Sequence, residues 1–334
     1  MKKKATLVVA KPYMNNNIFD SRNHLLNRDD CLVPFHFLQK EFSKKGYDLS
    51  TQDINPVKNS EIVIYNELPK NRLKISKTKK SFLIMLESPL IIQEYSNISN
   101  DFNFNKIFTW NDSIVDHKKF VKINYSFLPP TKINTTQREK FCTLISAHKI
   151  ENHKNELYSE RIKTIRWFEN NAPKDFDLYG IGWDKPTYSG LFKILKKVPL
   201  VDIIIPFKKF ISYKGKVESK NKKLQDYTFA ICYENIENEM GYITEKIFDC
   251  FFAGTIPIYW GSKNIADYIP KNCFIDRTQF KDNKDMYNYL TELKNENIQE
   301  FRNNITNFLK SDQMSQFHVE TFAKTITSNT IGSI

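Results

Sequence analysis

The sequence predicts an α/β fold in which two halves each pair a β-sheet with covering helices. Short apolar runs typical of buried strands alternate with helical patterns along the chain, as a layered α/β fold requires. A chain of 334 residues also exceeds one ordinary hydrophobic core, so two domains are the default expectation. A Leu-Pro-Pro break at 128–130, followed by a polar run, separates two Rossmann-like domains at 1–137 and 138–334.

Each element of this prediction follows from a local sequence pattern. Apolar runs predict the strands, and apolar side chains one helical turn apart, at Phe35, Leu38 and Phe42, predict the first helix. The predicted elements are, in order, strand 5–10, helix 33–45, strands 61–65, 81–86 and 106–110, strand 141–146, helix 156–170 and strand 177–180. This alternation favours a Rossmann-like layer arrangement in each half.

The chain is basic, with 50 Lys and Arg residues against 38 Asp and Glu and a formal net charge of +12. This excess indicates an anionic partner such as a nucleotide sugar, an anionic glycan or a membrane surface. A nucleic acid is the rival partner, but the lysines are dispersed and no recognised nucleic-acid-binding motif appears. We therefore expect no nucleic acid. The Gly-rich signatures of nicotinamide and ATP sites are also missing.

The cysteines and the apolar runs indicate where the protein is located in the cell. Five cysteines lie scattered in apolar runs, which predicts reduced, mostly buried thiols in a cytoplasmic protein rather than a disulfide framework. No apolar stretch reaches the length of a membrane span. The segment 191–209 mixes large apolar residues with lysines, which is typical of peripheral contact with the inner face of a membrane. The alternative is a loop and short helix packed on the core.

The most informative stretch is 234–261, ENIENEMGYITEKIFDCFFAGTIPIYWG. Apolar residues one turn apart, including Ile247, Phe248 and Phe251, predict an amphipathic helix at about 244–253. The helix ends before Gly254, where a residue free to adopt positive φ is favoured. The apolar run that follows, 255–260, predicts a buried strand.

Three polar residues stand at the predicted start of this helix. The helix dipole and the unpaired N–H groups of the first turn favour an anion, and Lys246 adds a full positive charge. Glu245 offers an acceptor of the kind that binds ribose hydroxyls, and Tyr242 lies just upstream. The residues alone therefore indicate a sugar-nucleotide diphosphate site. The alternative is an amphipathic helix with a charged start.

The amino-acid sequence of this stretch resembles a motif of a known family. Tyr-Ile-Thr-Glu-Lys at 242–246, followed by Ala-Gly-Thr-Ile-Pro-Ile-Tyr-Trp-Gly at 253–261, resembles the donor-binding signature of glycosyltransferase family 10, the α-1,3/4-fucosyltransferases. Because no membrane-anchor segment is predicted, the chain resembles the bacterial type of this family. The resemblance extends upstream through 227–235 and downstream to 267–270 and 274–276. It implies a GT-B fold, with an acceptor-side domain at 1–137 and a donor-binding domain at 138–334 facing each other across a cleft.

The same resemblance implies a reaction. It implies an inverting, α-1,3-fucosyltransferase-like enzyme that moves fucose from GDP-fucose to a hydroxyl of a glycan acceptor, either an oligosaccharide or a lipid-linked glycan. Such an enzyme would serve surface polysaccharide synthesis or protein glycosylation. No cofactor beyond the donor is expected, and stimulation by a divalent cation is left open.

The resemblance also implies donor contacts at named residues. It assigns Arg161, on a helix that follows a strand, to the donor diphosphate, with Arg166 as the nearby competitor. It places Tyr242, Glu245 and Lys246 on the donor. It also places Glu234 and Asn235, at the end of the strand that precedes this helix, in contact with the donor. A solvated helix face is the alternative for both arginines.

A catalytic base is predicted in the first domain. Open α/β sheets hold ligands at the carboxyl ends of their strands, and Glu87 follows the buried strand 81–86 directly. The family's proposed base lies in a similar Glu-Ser-Pro-like context, so the resemblance implies that Glu87 is the base. The alternative is a carboxylate that caps the next helix.

One motif indicates different chemistry. Asp175-Phe176-Asp177 spells the Asp-x-Asp with which metal-dependent glycosyltransferases hold a divalent ion and the phosphates of another nucleotide sugar. Here the pair leads directly into a predicted strand, and the six histidines show no ligand spacing. We therefore expect no metal site. A metal-dependent transferase and a basic nucleic-acid-binding protein remain the alternative functions.

Overall fold

The structure, a computed structural model, describes residues 2–69, 75, 80–100, 103–187 and 207–332. The chain forms two compact units. Unit 1 consists of Met1–Pro129, Met240–Tyr242 and Ser311–Ile334, and unit 2 consists of Pro130–Glu239 and Ile243–Lys310. The chain therefore returns to unit 1 twice, once in a short segment and once at its C-terminal end.

Strands and helices alternate through both units. The strands are β1 (Lys3–Val8), β2 (Tyr47–Thr51), β3 (Ile62–Asn66), β4 (Lys80–Met85), β5 (Lys106–Thr109), β6 (Phe120–Lys122), β7 (Lys140–Ile145), β8 (Phe176–Tyr179), β9 (Tyr227–Tyr233), β10 (Ile256–Trp260) and β11 (Ile275–Asp276). The helices are α1 (Val33–Lys44), α2 (Tyr158–Asn171), α3 (Lys220–Leu224), α4 (Glu245–Ala253), α5 (Ile265–Tyr268), α6 (Asn283–Glu292), α7 (Asn295–Leu309) and α8 (Val319–Ile331).

Unit 1 contains a six-stranded parallel sheet in the order β2-β1-β3-β4-β5-β6. Strands β3 and β4 are buried along nearly their whole length, because their side chains are apolar on both faces. That pattern is typical of a parallel strand covered on both sides. The carboxyl ends of β3, β4 and β5 therefore lie side by side at one edge of the sheet.

The C-terminal helix packs in unit 1. Helix α8 contributes Phe322, Ala323 and Ile326 to the same buried cluster as Phe35 of α1, and the rings of Phe35 and Phe322 meet edge-on at 5.9 Å. The sequence-based division had assigned these residues to the second domain, 138–334, and had placed the boundary a few residues later than Pro129. The difference arises because the contact joins residues far apart in sequence, and such a contact has no local signature.

Unit 2 contains a five-stranded parallel sheet in the order β11-β10-β9-β7-β8. From β7 the chain adds β8 on one side, and later adds β9, β10 and β11 on the other. The order therefore reverses between β7 and β9. In open α/β sheets, ligands bind at the carboxyl ends of the strands at such a reversal.

Most of the predicted elements are confirmed to within a few residues. The helix and strand predicted at 244–253 and 255–260 are α4 and β10, and Gly254 has a φ of 70° at the end of α4. The short strands β2 and β6 were not predicted, because each contains few apolar residues or only three residues in all. Most of the predicted membrane-contact segment 191–209 lies outside the described residues, which omit 188–206.

Two further findings concern cysteines and membranes. All five cysteines carry free thiols; Cys31 is exposed and the other four are buried. Within the described ranges, no helix combines the length and the apolar character needed to cross a membrane.

Candidate active site

The residues at the start of α4 lie beside the end of β9. Thr244, the residue before the helix, is extended, with φ −104° and ψ −171°. The first two helical residues, Glu245 and Lys246, keep 41% and 21% of their side-chain surface exposed. Glu234 directly follows β9, and its side chain has no exposed surface. These residues form a polar cluster at the carboxyl edge of the sheet of unit 2.

The carboxylate of Glu234 holds this cluster together. One of its oxygens accepts hydrogen bonds from the Thr244 backbone N–H at 2.9 Å and from the Thr244 hydroxyl at 3.0 Å. The other lies 2.9 Å from the Lys246 ammonium. A Cβ on Gly261 would lie 2.5 Å from Cγ of Glu234, so a larger residue at 261 would displace the carboxylate. This geometry is that of a residue that positions Lys246.

Neighbouring charges determine the ionisation of the helix start. Burial opposes the charge of Lys246, but Glu234 and Glu245 outweigh it and raise the pKa of the ammonium. Burial likewise opposes the charge of Glu245, but Lys246 and Lys220 lower the pKa of that carboxyl to about 2. The ammonium of Lys220 lies 3.7 Å from Glu245 and 3.0 Å from Asp249. At neutral pH the cluster therefore presents a fixed ammonium beside a fixed carboxylate.

Arg161 joins the same cluster from helix α2. It is 3% exposed, and its Nη2 donates to the backbone oxygens of Tyr233 at 2.6 Å and Glu234 at 2.8 Å. The same nitrogen lies 3.2 Å from Oδ1 of Asn235. Its charge lowers the proton affinity of Lys246, so the two cations are close enough to repel each other. Arg161, Lys246 and Asn235 thus surround the end of β9, next to the reversal in strand order.

Arg166, the competitor of Arg161, lies elsewhere. Its guanidinium pairs with Glu169 at 2.6 Å and stacks 3.7 Å above the ring of Phe210. It also donates to the backbone oxygens of Lys208 and Lys209. Of the two arginines considered from the sequence, only Arg161 contacts the residues at the end of β9.

Tyr242 belongs to unit 1. Its ring is 1% exposed and lies 4.7 Å from the ring of Trp110 and 6.4 Å from that of Tyr125. The preceding Gly241 has a φ of 82°, and a Cβ there would lie 2.4 Å from the backbone oxygen of Trp110. Only glycine tolerates both conditions, so the sequence Gly-Tyr allows this segment to pack closely against the end of β5.

Glu87 lies where the sequence predicted it, at the carboxyl end of β4, and is half-buried. Its backbone N–H donates to Oε1 of Glu67 at 3.0 Å, and Trp110 Nε1 lies 3.4 Å from its backbone oxygen. The next helical segment begins at Gln93. Glu87 therefore lies at the edge of the sheet where ligands bind.

Glu67 and Lys220 were not identified from the sequence. Glu67 follows β3 as Glu87 follows β4, and both stand in a Glu-x-Pro sequence, Glu67-Leu-Pro69 and Glu87-Ser-Pro89. The strand-exit argument that selects Glu87 selects Glu67 equally, so a signal for it was present. Lys220 has no such signal, because its contact with Glu245 depends on the packing of α3 on α4.

The Asp-x-Asp motif has other partners in the structure. Asp175 accepts a hydrogen bond from the Tyr287 hydroxyl at 2.6 Å. Asp177, in β8, accepts one from the Tyr227 hydroxyl at 2.6 Å and lies 3.0 Å from the Lys140 ammonium. No group of three or more potential ligands from His, Cys, Asp and Glu occurs in the part of the chain that the structure describes.

Solved structures identify the fold. A crystal structure of an α1,3-fucosyltransferase superposes with a TM-score of 0.57 at 16% identity, covering 98% of this chain and 90% of that chain. Anabaena HepE in complex with UDP and glucose superposes with a TM-score of 0.55 at 9% identity, covering 99% and 100%. Likeness at these identities concerns the fold alone. The fold is GT-B, the class of glycosyltransferase architecture that the sequence predicted.

The family comparison concerns the C-terminal part of the chain. Residues 189–322 match the model of glycosyltransferase family 10 (fucosyltransferase), C-terminal domain. The match covers less than half of the chain. It includes Glu234, Asn235, Tyr242, Glu245 and Lys246, whereas Glu87 and Arg161 lie outside it.

Curated relatives give local matches. The α-(1,3)-fucosyltransferase FucT of Helicobacter pylori is 44% identical over 78 residues, 23% of this chain and 16% of that protein. An α-(1,4)-fucosyltransferase of Arabidopsis thaliana is 33% identical over 70 residues, 21% of this chain and 17% of that protein. The chain thus matches about one sixth of the length of these relatives.

Proposed function

We propose that this protein is an inverting fucosyltransferase of glycosyltransferase family 10 that transfers fucose from GDP-fucose to a hydroxyl of a glycan. The observation that carries the proposal is the position of Lys246. Buried Glu234 holds its ammonium at the start of α4, within the stretch that matches the family model. The acceptor is an oligosaccharide or a lipid-linked glycan, and the enzyme acts in surface polysaccharide or glycoprotein synthesis.

In this proposal the donor diphosphate lies at the start of α4, between Lys246 and Arg161. Both side chains keep their positive charge at neutral pH, and both are held by contacts with the end of β9. Groups held in advance where negative charge develops stabilise the transition state without reorganisation. They therefore stabilise the diphosphate most as it leaves. Glu234 acts behind Lys246 as a positioning residue rather than as a direct contact.

Glu245 and Asn235 supply the remaining donor contacts of unit 2. Glu245 stays ionised because Lys246 and Lys220 outweigh the effect of its burial and lower its pKa to about 2. An ionised carboxylate accepts two hydrogen bonds, which matches a pair of ribose or fucose hydroxyls. Asn235, whose Oδ1 accepts a hydrogen bond from Arg161 at 3.2 Å, lies at the same edge of the sheet. Tyr242 is also proposed as a donor contact.

The transfer step needs a base for the acceptor hydroxyl. In the proposal the acceptor oxygen attacks C1 of fucose on the face opposite the diphosphate and forms the new glycosidic bond. The bond between C1 and the phosphate oxygen breaks, and its electron pair leaves with GDP. The hydroxyl proton passes to the carboxylate of Glu87. Inversion follows from attack opposite the leaving group, and no metal ion or further cofactor is required.

The cellular setting is also proposed. Four buried, reduced cysteines suit the cytoplasm, and the net charge of +12 favours an anionic surface such as the inner leaflet of a bacterial membrane. A lipid-linked acceptor would be presented at that surface.

A transfer assay with a panel of donors tests the function. Purified protein is incubated with oligosaccharide acceptors and with GDP-fucose, GDP-mannose, UDP-galactose or UDP-N-acetylglucosamine, each with and without EDTA. We expect product with GDP-fucose alone, with an α-linked fucose and with activity retained in EDTA. Transfer only from a UDP-sugar, or transfer abolished by EDTA, contradicts the proposal and favours the metal-dependent alternative.

A further inference from the structure

We propose that Glu67 is a positioning residue for the catalytic base, holding the turn of Glu87 at the carboxyl edge of the sheet of unit 1. The inference rests on the proposed function, because it assigns Glu67 a part in the proton transfer made by Glu87. It concerns a residue outside the stretch matched by the family model.

Glu67 binds the N–H side of this turn. Its Oε1 accepts hydrogen bonds from two consecutive backbone N–H groups, those of Leu86 and Glu87, each at 3.0 Å. Its Oε2 accepts one from the hydroxyl of Tyr95 at 2.5 Å, and that hydroxyl in turn accepts from the Leu68 N–H. A carboxylate that accepts three hydrogen bonds is committed to these partners. Glu67 is therefore suited to hold the turn rather than to receive the acceptor's proton.

Aromatic residues bind the carbonyl side of the same turn. The hydroxyl of Tyr125 donates to the Leu86 oxygen at 2.7 Å, and Trp110 Nε1 lies 3.4 Å from the Glu87 oxygen. The same two rings contact Tyr242, which the proposal places at the donor. The backbone around Glu87 is thus held on both sides. Glu67 accepts hydrogen bonds from its N–H groups, and Tyr125 and Trp110 contact its carbonyl oxygens.

The backbone of Glu67 is itself unusual. Its φ is 69°, in the left-handed region that non-glycine residues rarely adopt. Its own N–H donates to the Ile84 oxygen at 2.9 Å, so the conformation is held by a bond to β4. Strained residues of this kind cluster at functional sites, where surrounding contacts hold them. Here the strain turns the carboxylate back toward the end of β4.

Electrostatics give this contact an effect on catalysis beyond geometry. Burial raises the pKa of Glu67 to about 7, the Tyr95 hydroxyl and the two N–H donors oppose the rise, and the Glu87 carboxylate adds to it. Among the described residues, these groups face Glu67 from the turn after β4 and from the segment that contains Tyr95. Above pH 7, ionised Glu67 therefore repels the charge of Glu87 and makes Glu87 a stronger base. Below pH 7 that effect is lost.

The experiment compares Glu67→Gln and Glu67→Ala with the wild type and with Glu94→Gln. Glu94 is exposed and adjacent to Tyr95, so its variant makes the same charge change outside the network. The measurements are kcat and KM with GDP-fucose from pH 5.5 to 9, the GDP dissociation constant, and amide hydrogen exchange across residues 84–90.

We expect the wild type and Glu94→Gln to show a rise in kcat centred near pH 7. Glu67→Gln keeps an oxygen for the two N–H groups but lacks the ionisation, so its profile should lose that rise. Glu67→Ala loses the acceptor, so its amides at 86 and 87 should exchange faster and its kcat should fall about a hundredfold, as for a small displacement of a reacting group. The GDP dissociation constant should stay within about twofold in all variants, since Lys246 and Arg161, which are proposed to hold the diphosphate, are unchanged.

Two results overturn the inference. One is a Glu67→Gln profile that keeps the rise near pH 7; the other is a Glu67→Ala enzyme with wild-type kcat and unchanged exchange at 86 and 87. If Glu67→Ala does not fold, the pH profile of Glu67→Gln decides alone. If the wild type is active, Glu87→Gln is inactive and the Glu67 variants are unaffected, this inference is overturned and the proposed function stands. A wild type with no transfer from any donor overturns both.

Discussion

The ammonium of Lys246 lies 2.9 Å from the carboxylate of Glu234, whose side chain has no exposed surface. The pair joins the end of β9 to the start of α4, and it makes stability and donor binding depend on the same two residues. A buried carboxylate whose partner is removed costs about 3 to 5 kcal/mol. Loss of activity on changing Lys246 alone would therefore mix a folding effect with a binding effect.

A double variant separates these effects. Lys246→Ala should lower the free energy of unfolding by about 3 to 5 kcal/mol, because it leaves the Glu234 charge buried and unpaired. Adding Glu234→Gln removes that charge and should restore most of the stability. Neither variant should bind GDP well, since both lack the ammonium. Urea unfolding and GDP titration of the two proteins give the answer, and a double variant that regains GDP affinity would remove Lys246 from the donor site.

The two arginines of α2 provide a matched comparison. Arg161→Gln should weaken GDP binding about tenfold to a hundredfold, because a hydrogen bond to a charged group contributes about 1.5 to 3 kcal/mol. Arg166→Gln should leave GDP affinity per folded molecule unchanged, although it lowers stability by leaving Glu169 without its ion pair. Calorimetric titration measures both. The reverse ranking would move the diphosphate to Arg166 and away from the end of β9.

Glu87→Gln tests the base. Loss of a general base commonly costs about 10² to 10⁴ in rate and leaves donor binding untouched. We expect kcat to fall in that range, with a melting temperature and a GDP affinity close to those of the wild type. Glu61→Gln is the control, because Glu61 is exposed, pairs with Lys3 and precedes β3 at the opposite edge of the sheet. Equal activity of the two variants would assign the proton to another group.

The lowered pKa of Glu245 predicts that the free energy of unfolding depends on pH in the acid range. Burial alone would raise its pKa, but Lys246 and Lys220 lower it from 4.5 to about 2. A lowered carboxyl pKa stabilises the fold above the unfolded-state value, and this contribution disappears as pH falls from about 4.5 to about 2. The difference in unfolding free energy between wild type and Glu245→Gln should therefore shrink across that window. Denaturant unfolding at several pH values measures it; a difference independent of pH would show that Glu245 is not held ionised.

Features that depend on neighbouring residues could be predicted from the sequence, and features that depend on distant contacts could not. The period of α4, the glycine at its end and the apolar run of β10 are all local, so both elements were predicted closely. The contact between Glu234 and Lys246 was not predicted, because it joins the end of β9 to the start of α4 and has no local sequence pattern. The return of α8 to unit 1 depends on a contact between Phe35 and Phe322 that no local pattern reveals. Glu67 was missed although it shares the Glu-x-Pro signal of Glu87.

The most direct test of the donor site is calorimetric titration of GDP into the wild type and into the Lys246→Ala, Glu234→Gln double variant. The pair of proteins isolates the ammonium from the stability of the buried pair. We predict that the wild type binds GDP more tightly than UDP and dTDP, and that the double variant, folded by its circular dichroism and melting transition, binds GDP at least tenfold more weakly. Equal GDP affinity in the two proteins would contradict a donor site at the start of α4.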